Sequence, residues 1–240
     1  MSRKRTSKLQ RRSPARRQGL FIILGVAALA VIAVIVLISQ NAQPAVVGGF
    51  NTVEKQDWPQ PDGKTLGPAD APVVVREFSD FQCPFCRQFS SSVEKQIIDQ
   101  YLSTGKVRFE YRHFIVIDGN VGGSESRHAA QASECASEQG AFWDYHEMLF
   151  ANQQGEGQGA FSDARLKAFA EALELDTAAF NSCLNSARAA KAVSDDERLA
   201  RTYNLRGTPS LFVNDQLVQN PMDLDAVKAA IDAALASASK

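Results

Sequence analysis

The chain has 240 residues, of which 45% are hydrophobic, and it carries a formal net charge of −1 at pH 7. Eight of its 26 Lys and Arg residues lie before residue 18, with no acidic residue among them. The remainder therefore has 18 basic residues against 27 acidic ones, a formal charge of −9, which argues against nucleic acid as a partner.

Residues 19–38 form an apolar segment without a charged residue. Twenty helical residues span about 30 Å, the thickness of a bilayer core, so the segment predicts a transmembrane helix. The basic run before it predicts a cytoplasmic tail over residues 1–18, with the rest of the chain outside the cytoplasm. A cleaved signal peptide is the alternative. Because signal cores have about 7 to 15 apolar residues, we expect a retained anchor instead.

Residues 39–64 are rich in Gln, Asn, Gly and Pro and have no sustained periodicity. This composition predicts an extracytoplasmic linker between the anchor and a domain over residues 65–240. The linker is too short to be a separate dimerisation domain.

The stretch VVVREFSDFQCPFCRQF, residues 73–89, combines a strand with a pair of cysteines. Its β-branched start predicts a buried strand over residues 73–79. Cys83-Pro84-Phe85-Cys86 then opens a helical pattern, with proline at the first helical position. Cysteines at this spacing can close a small disulfide ring, and the unpaired N–H groups of a helix terminus favour a thiolate on the first one. We therefore expect Cys83 to be the exposed attacking sulfur and Cys86 the buried resolving one.

A zinc site is an alternative use of two such cysteines. Completing it would take a second close pair of ligands, whereas Cys135 and Cys183 are isolated and the three histidines are scattered. The spacing therefore favours a redox pair, and we expect neither a metal nor an organic cofactor.

The remaining pattern predicts an α/β chain with many helices. The helix that starts at Cys83 should run to about Tyr101, and the alternation in residues 106–117 predicts a strand beside the first one. Residues 126–150 form one helix or two with a break near Gly140, and Ser162 and Asp176 cap the next two helices. The later predicted elements are a helix over residues 191–203, strands over 210–213 and 216–219, and a helix over 223–236.

Two motifs, GPADAPVVVREFSDFQCPFCRQF at residues 67–89 and Arg206-Gly207-Thr208-Pro209 far downstream, resemble the DsbA-like branch of the thioredoxin superfamily. The resemblance covers about residues 65–238. It implies a thioredoxin-like α/β fold with an inserted helical subdomain over about residues 120–195. It also implies the activity of an extracytoplasmic thiol:disulfide oxidoreductase.

The resemblance implies roles for residues outside the cysteine pair. Glu77 lies where relatives keep a carboxylate beneath the dithiol, and it would exchange a proton with Cys86. An outward-facing strand residue is the alternative for Glu77. Thr208 and Pro209 resemble the cis-proline loop of the family, which packs against the dithiol and presents its backbone to an extended substrate.

Pro84 and Phe85 complete the expected substrate-binding residues. Phe85 stands where the strongest oxidants of the family have a histidine, which stabilises their thiolate. Because a phenyl ring neither donates a hydrogen bond nor carries charge, we expect a less depressed pKa for Cys83 and a weaker oxidant than those relatives.

Cys135 and Cys183 lie among apolar residues of predicted helices in the insertion. Disulfides persist in an oxidising compartment, so we expect these two cysteines to form a structural bridge. The alternative is two buried free thiols that act as small hydrophobic side chains.

These observations predict a membrane-anchored enzyme that introduces disulfides into exported, cysteine-containing proteins. A quinone-linked membrane partner, DsbB-like or VKOR-like, would reoxidise it. A disulfide reductase or isomerase that uses the same cysteines is one alternative. A non-catalytic chaperone or scaffold with a thioredoxin fold is another.

Overall fold

The computed structural model describes residue 24, residues 31–32 and residues 48–238. Leu24, Val31 and Ile32 are helical and exposed. The tail predicted over residues 1–18 and the rest of the predicted transmembrane segment lie outside the described residues. Among the residues that are described, no helix is both long and apolar enough to span a bilayer. Residues 48–238 belong to one compact unit.

A five-stranded sheet lies at the centre of this unit, in the order β1-β3-β2-β4-β5. Its strands are β1 (Thr65–Leu66), β2 (Val73–Ser79), β3 (Val107–His113), β4 (Ser210–Val213) and β5 (Gln216–Val218). β2 and β3 run parallel, and the other pairs are antiparallel. Because β2 is the middle strand, five of its seven residues are buried, and it delivers the cysteine motif to the centre of the fold.

A long helical segment follows β2. It consists of α1 (Pro84–Phe89), a π turn (Ser90–Glu94) and α2 (Lys95–Tyr101) in direct succession. Cys83 is the N-cap of α1, and Pro84 takes the first helical position, where the missing N–H leaves no hydrogen bond unmade. After a short 3-10 turn the segment ends at Gly105, whose φ of 69° is a left-handed conformation that glycine adopts readily.

The helical insertion follows β3. Its helices are α3 (Ile117–Val121), α4 (Glu125–Ser137), α5 (Phe142–Ala151), α6 (Asp163–Ala172), α7 (Thr177–Leu184) and α8 (Ala187–Thr202), and α9 (Leu224–Ala238) follows the last strand. The region predicted as one helix or two is divided into α4 and α5 at Gly140, which has a φ of 73°. Asp176 caps α7 by accepting hydrogen bonds from the N–H groups of Ala178 and Ala179. Ser162 is the N-cap of α6 but forms no side-chain capping bond.

Aromatic side chains join the insertion to the sheet. The Trp143 ring of α5 lies 5.8 Å from the Phe109 ring of β3, and the Phe142 ring lies 5.3 Å from that of Tyr111. Tyr111 in turn stacks on Phe81, just before the cysteine motif, at 5.3 Å. All five rings are buried, so the insertion and the sheet share one core.

Residues 48–64 belong to the segment predicted as an extracytoplasmic linker over residues 39–64, and they pack against the helices of the domain. Phe50 packs edge-on against Phe169 at 5.1 Å, and the Trp58 indole N–H donates to Asp144 at 2.8 Å. Hydrophobic periodicity did not predict these contacts, because single aromatic residues attach the segment to helices that are distant in the sequence. Periodicity also did not reveal β1 and α3, which are only two and five residues long.

Cys135 of α4 and Cys183 of α7 form a disulfide with an S–S distance of 2.06 Å. Both residues are 1% exposed, and 48 positions separate them in the sequence. A bridge of this span restricts the unfolded chain strongly, so it stabilises the insertion mainly by reducing the entropy of the unfolded state.

We predict that replacing both residues (Cys135→Ala, Cys183→Ala) lowers the free energy of unfolding by about 4 kcal/mol. Without the bridge, the unfolded chain regains the conformational entropy that closing a loop of this length had removed. Equilibrium denaturation of the full chain under oxidising conditions measures the change. The matched control is Cys83→Ala with Cys86→Ala, which removes two cysteines but keeps the bridge. A loss below about 1 kcal/mol in the first variant would contradict the prediction.

Candidate functional site

The two cysteines of the motif lie where the middle strand meets α1. Cys83 has an extended backbone conformation and caps the helix, whereas Cys86 lies within the first turn. Cys83 is 4% exposed and Cys86 is fully buried. Cys86 is therefore the more buried sulfur, as predicted. Cys83 is less exposed than expected because the loop at residue 208 lies against it.

The Cys83 sulfur is surrounded by groups that favour its thiolate. The Cys86 thiol lowers the pKa of Cys83 most, by hydrogen bonding to it, while burial opposes this effect. Thr208 and the backbone N–H groups of Phe85 and Cys86 contribute further, and the pKa of Cys83 is lowered to about 6. At neutral pH this sulfur is therefore mainly a thiolate, which is the nucleophilic and better leaving form.

Cys86 has the opposite electrostatic environment. Burial raises the pKa of its thiol well above the usual value, and the hydrogen bond and charge of Cys83 raise it further. The negative charge of Glu77 acts in the same direction. The pKa values of the two thiols are thus shifted in opposite directions. This difference suits a pair in which Cys83 reacts with substrates and Cys86 closes the disulfide ring.

The peptide bond between Thr208 and Pro209 is cis. This loop precedes β4 and places the Thr208 carbonyl oxygen 3.4 Å from Cys83 Sγ, which donates to it when protonated. Sequence positions 83 and 208 are therefore neighbours in the fold. Beside them, Pro84 and Phe85 face solvent, and Phe85 is 62% exposed.

Glu77 points into the core. It pairs with Tyr111 of β3 and Leu211 of β4, and it is completely buried. No N–H group of the described residues donates to its carboxylate oxygens. Burial raises the pKa of Glu77 to about 7. The outward-facing alternative therefore does not hold, and the carboxyl group can gain or lose a proton near neutral pH beside Cys86.

Two glutamines that sequence analysis did not single out hold the cysteine motif. Gln153 Nε2 donates to the carbonyl oxygens of Phe81 and Cys83 at 2.7 and 3.0 Å. Gln82 Nε2 donates to Ser126 Oγ at 2.8 Å, and Gln82 Oε1 accepts from the Gly157 N–H at 2.7 Å. Gln82 could have been noticed as a polar residue next to a buried strand. Nothing in the sequence around Gln153 pointed to the site.

Comparison with known proteins supports this description. Residues 60–233 match the family model described as thioredoxin. The chain is 32% identical to the disulfide bond formation protein D of Bacillus subtilis, over 70% of this chain and 74% of that protein. It is also 37% identical to a Na(+)/H(+) antiporter NhaA 3 of Salinispora tropica over 172 residues, which cover 72% of this chain but only 24% of the antiporter.

Solved structures give the same picture. The structure of oxidised BdbD from Bacillus subtilis matches with a TM-score of 0.66 and 30% identity, covering 76% of this chain and all of that one. DsbA2 from Pseudomonas aeruginosa matches with a TM-score of 0.57 and 27% identity, covering 71% of this chain and 92% of that one. The chain therefore belongs to the thioredoxin family and, within it, to the DsbA-like thiol:disulfide oxidoreductases.

Proposed function

We propose that this chain introduces disulfides into exported, cysteine-containing proteins from a position anchored at the outer face of the cytoplasmic membrane. The observation that carries the proposal is the opposite shift of two neighbouring thiols, with the pKa of Cys83 lowered to about 6 and that of Cys86 raised. A stable thiolate on Cys83 favours the reduced form of the pair, and a pair with a stable reduced form is an oxidant of other dithiols.

The reaction begins with the Cys83–Cys86 disulfide. A substrate thiolate attacks Cys83 Sγ, a mixed disulfide forms, and Cys86 leaves as a thiolate that takes a proton from Glu77. The second substrate thiol loses its proton and attacks the substrate sulfur of the mixed disulfide, and Cys83 leaves as a thiolate. Two electrons have then passed from the substrate dithiol to the protein, and the substrate holds the new disulfide.

The surface around Cys83 supports binding of an extended peptide. Phe85 and Pro84 offer apolar area beside the sulfur, and the backbone of Thr208 and Pro209 lies on its other flank. An extended chain can add backbone hydrogen bonds along such an edge, and this mode accepts many sequences. We propose these four residues as the substrate-binding surface.

The location is proposed from the sequence. A cytoplasmic tail over residues 1–18, a transmembrane helix over 19–38 and a connecting segment after it would place the domain outside the cytoplasm. The name of the Bacillus subtilis relative, disulfide bond formation protein D, supports a role in disulfide formation. A quinone-linked membrane protein, DsbB-like or VKOR-like, would accept the two electrons and restore the disulfide.

A reductase or isomerase that uses the same cysteines is the second candidate. Phe85 favours it, because a phenyl ring adds no hydrogen bond to the Cys83 thiolate and so makes the pair less oxidising. A non-catalytic chaperone is a third candidate, and the intact cysteine pair argues against it.

We predict a reduction potential above roughly −200 mV for the Cys83–Cys86 pair, since the thiolate stabilises the reduced form. Titration of the full chain against glutathione measures the potential, and Cys83→Ser is the control that should show no transition. A potential below about −250 mV, close to that of thioredoxin, would favour the reductase.

We predict that Phe85→His lowers the pKa of Cys83 below 6 and makes the pair more oxidising, because imidazole adds a hydrogen bond or a positive charge beside the thiolate. A tenfold change in the equilibrium constant corresponds to about 30 mV. The alkylation rate of the reduced protein, followed against pH, reports the pKa because only the thiolate reacts.

Gln88→His is the matched control for this variant, since it adds the same ring to an exposed position of the same helix. The wild-type midpoint should lie near pH 6, and the control should not move it. Equal midpoints in Phe85→His and wild type would refute the role assigned to position 85.

A further inference from the structure

A second buried carboxyl group lies behind Glu77. Glu94 ends the π turn between α1 and α2 and is 1% exposed. Its carboxyl group lies close enough to that of Glu77 for each to influence the protonation of the other. Two carboxyl groups can share a hydrogen bond only when one of them is protonated. π turns are rare and occur frequently at functional sites, and this one brings Glu94 to the carboxyl group beneath the dithiol.

Glu94 also reaches a cavity that Glu77 does not line. The cavity has a volume of about 420 Å³ and is partly open to solvent. Its walls include Trp58, Ser91, Lys95 and Asp99 as well as Glu94. Glu94 Oε2 is buried and has no hydrogen-bond partner among the described residues. Glu94 thus lies between the core beneath the dithiol and a cavity that opens towards solvent.

The chemistry of the dithiol needs such a connection. Each reduction of the disulfide places a proton on Cys86, and each oxidation removes it. Cys86 and Glu77 are both fully buried, so Glu77 cannot exchange protons with bulk water by itself. We propose that Glu94 carries protons between Glu77 and the water of this cavity, a role that rests on the proposed function of the cysteine pair.

The number of protons is conserved in both directions, and these steps transfer no electrons. On reduction, the Cys86 thiolate takes the proton of Glu77, the Glu77 carboxylate takes the proton of Glu94, and Glu94 takes a proton from cavity water. On oxidation, the three transfers run in reverse. Glu94 does not contact the reacting sulfurs, so it is a positioning residue for the proton and not a catalytic residue.

The surroundings keep the pair partly protonated. Burial raises the pKa of Glu94 well above its usual value, and the charges of Glu77 and Glu147 raise it further. The other polar groups that face the two carboxyl groups are those of Ser79, Cys83, Cys86, Ser90, Tyr111 and His146. The Nε2 atom of His146 is 3.7 Å from Glu94 Oε2, beyond hydrogen-bond distance.

Glu94→Gln is the sharpest test, because an amide can donate a hydrogen bond to Glu77 but cannot pass on a proton. A protonated Glu94 and a glutamine are both neutral, so the pKa of Glu77 should stay near 7. The full chain is assayed for repeated oxidation of a dithiol peptide with oxidised glutathione present. We expect turnover to fall by about tenfold or more, with an unchanged midpoint in the pH profile.

Two further variants separate proton transfer from structure. Glu94→Ala opens space next to the cavity, and added formate should restore its turnover at least partly but leave the wild type unchanged. Asp99→Asn removes an exposed acidic group from the same cavity wall and should keep wild-type turnover. Thermal unfolding of each variant shows whether the fold is intact.

The outcomes are distinct. If the wild-type chain does not oxidise the peptide, the proposed function fails. If the wild-type chain is active and Glu94→Gln matches it, the relay fails and the proposed function stands. A loss of turnover that formate does not restore in Glu94→Ala, or a displaced pH midpoint in Glu94→Gln, would also overturn the relay, because both indicate an altered site and not a missing proton carrier.

Discussion

The site depends on the unequal environments of two sulfur atoms three residues apart. The first turn of α1 directs unpaired N–H groups at Cys83, whereas Cys86 lies one turn further inside a packed core. The same short helix therefore stabilises one thiolate and opposes the other. Because this difference comes from backbone position and burial, it requires only that the strand, the turn and the helix stay in place.

The inserted helices supply that rigidity. Gln153 follows α5 and donates to two backbone carbonyls of the cysteine motif, while Gln82 within the motif bonds to α4 and to the loop after α5. Three of these four hydrogen bonds are fully buried, and breaking one of the three would leave a buried polar group without a partner. The insertion thus does more than cover the sheet, since it holds the loop between β2 and α1 in one conformation. The stacked, buried rings of Phe81 and Tyr111 also attach this loop to β3.

Sequence patterns predicted the parts of the fold that local residues determine. The apolar run predicted β2 at its observed bounds, and the spacing of the cysteines predicted a helix terminus, because both depend on residues close together in the chain. Gln153 and Glu94 escaped prediction for the opposite reason. Gln153 bonds to a residue 72 positions away, and an isolated glutamate in an amphipathic helix normally faces solvent. The packing of residues 48–64 also depends on distant partners.

The buried carboxyl groups oppose folding as the pH rises. The pKa of Glu77 in the folded chain, about 7, lies above the value of about 4.3 in an unfolded one. Between these two values the folded state keeps a proton that the unfolded chain loses, so the free energy of unfolding falls as the pH rises through this window. A loss of stability from a buried carboxyl group is expected mainly where the group has a function. Here the negative charge of Cys83 also raises the pKa of Glu77. Forming the Cys83 thiolate therefore favours keeping a proton in the core, so the acid beneath the dithiol and the redox state of the sulfurs influence each other.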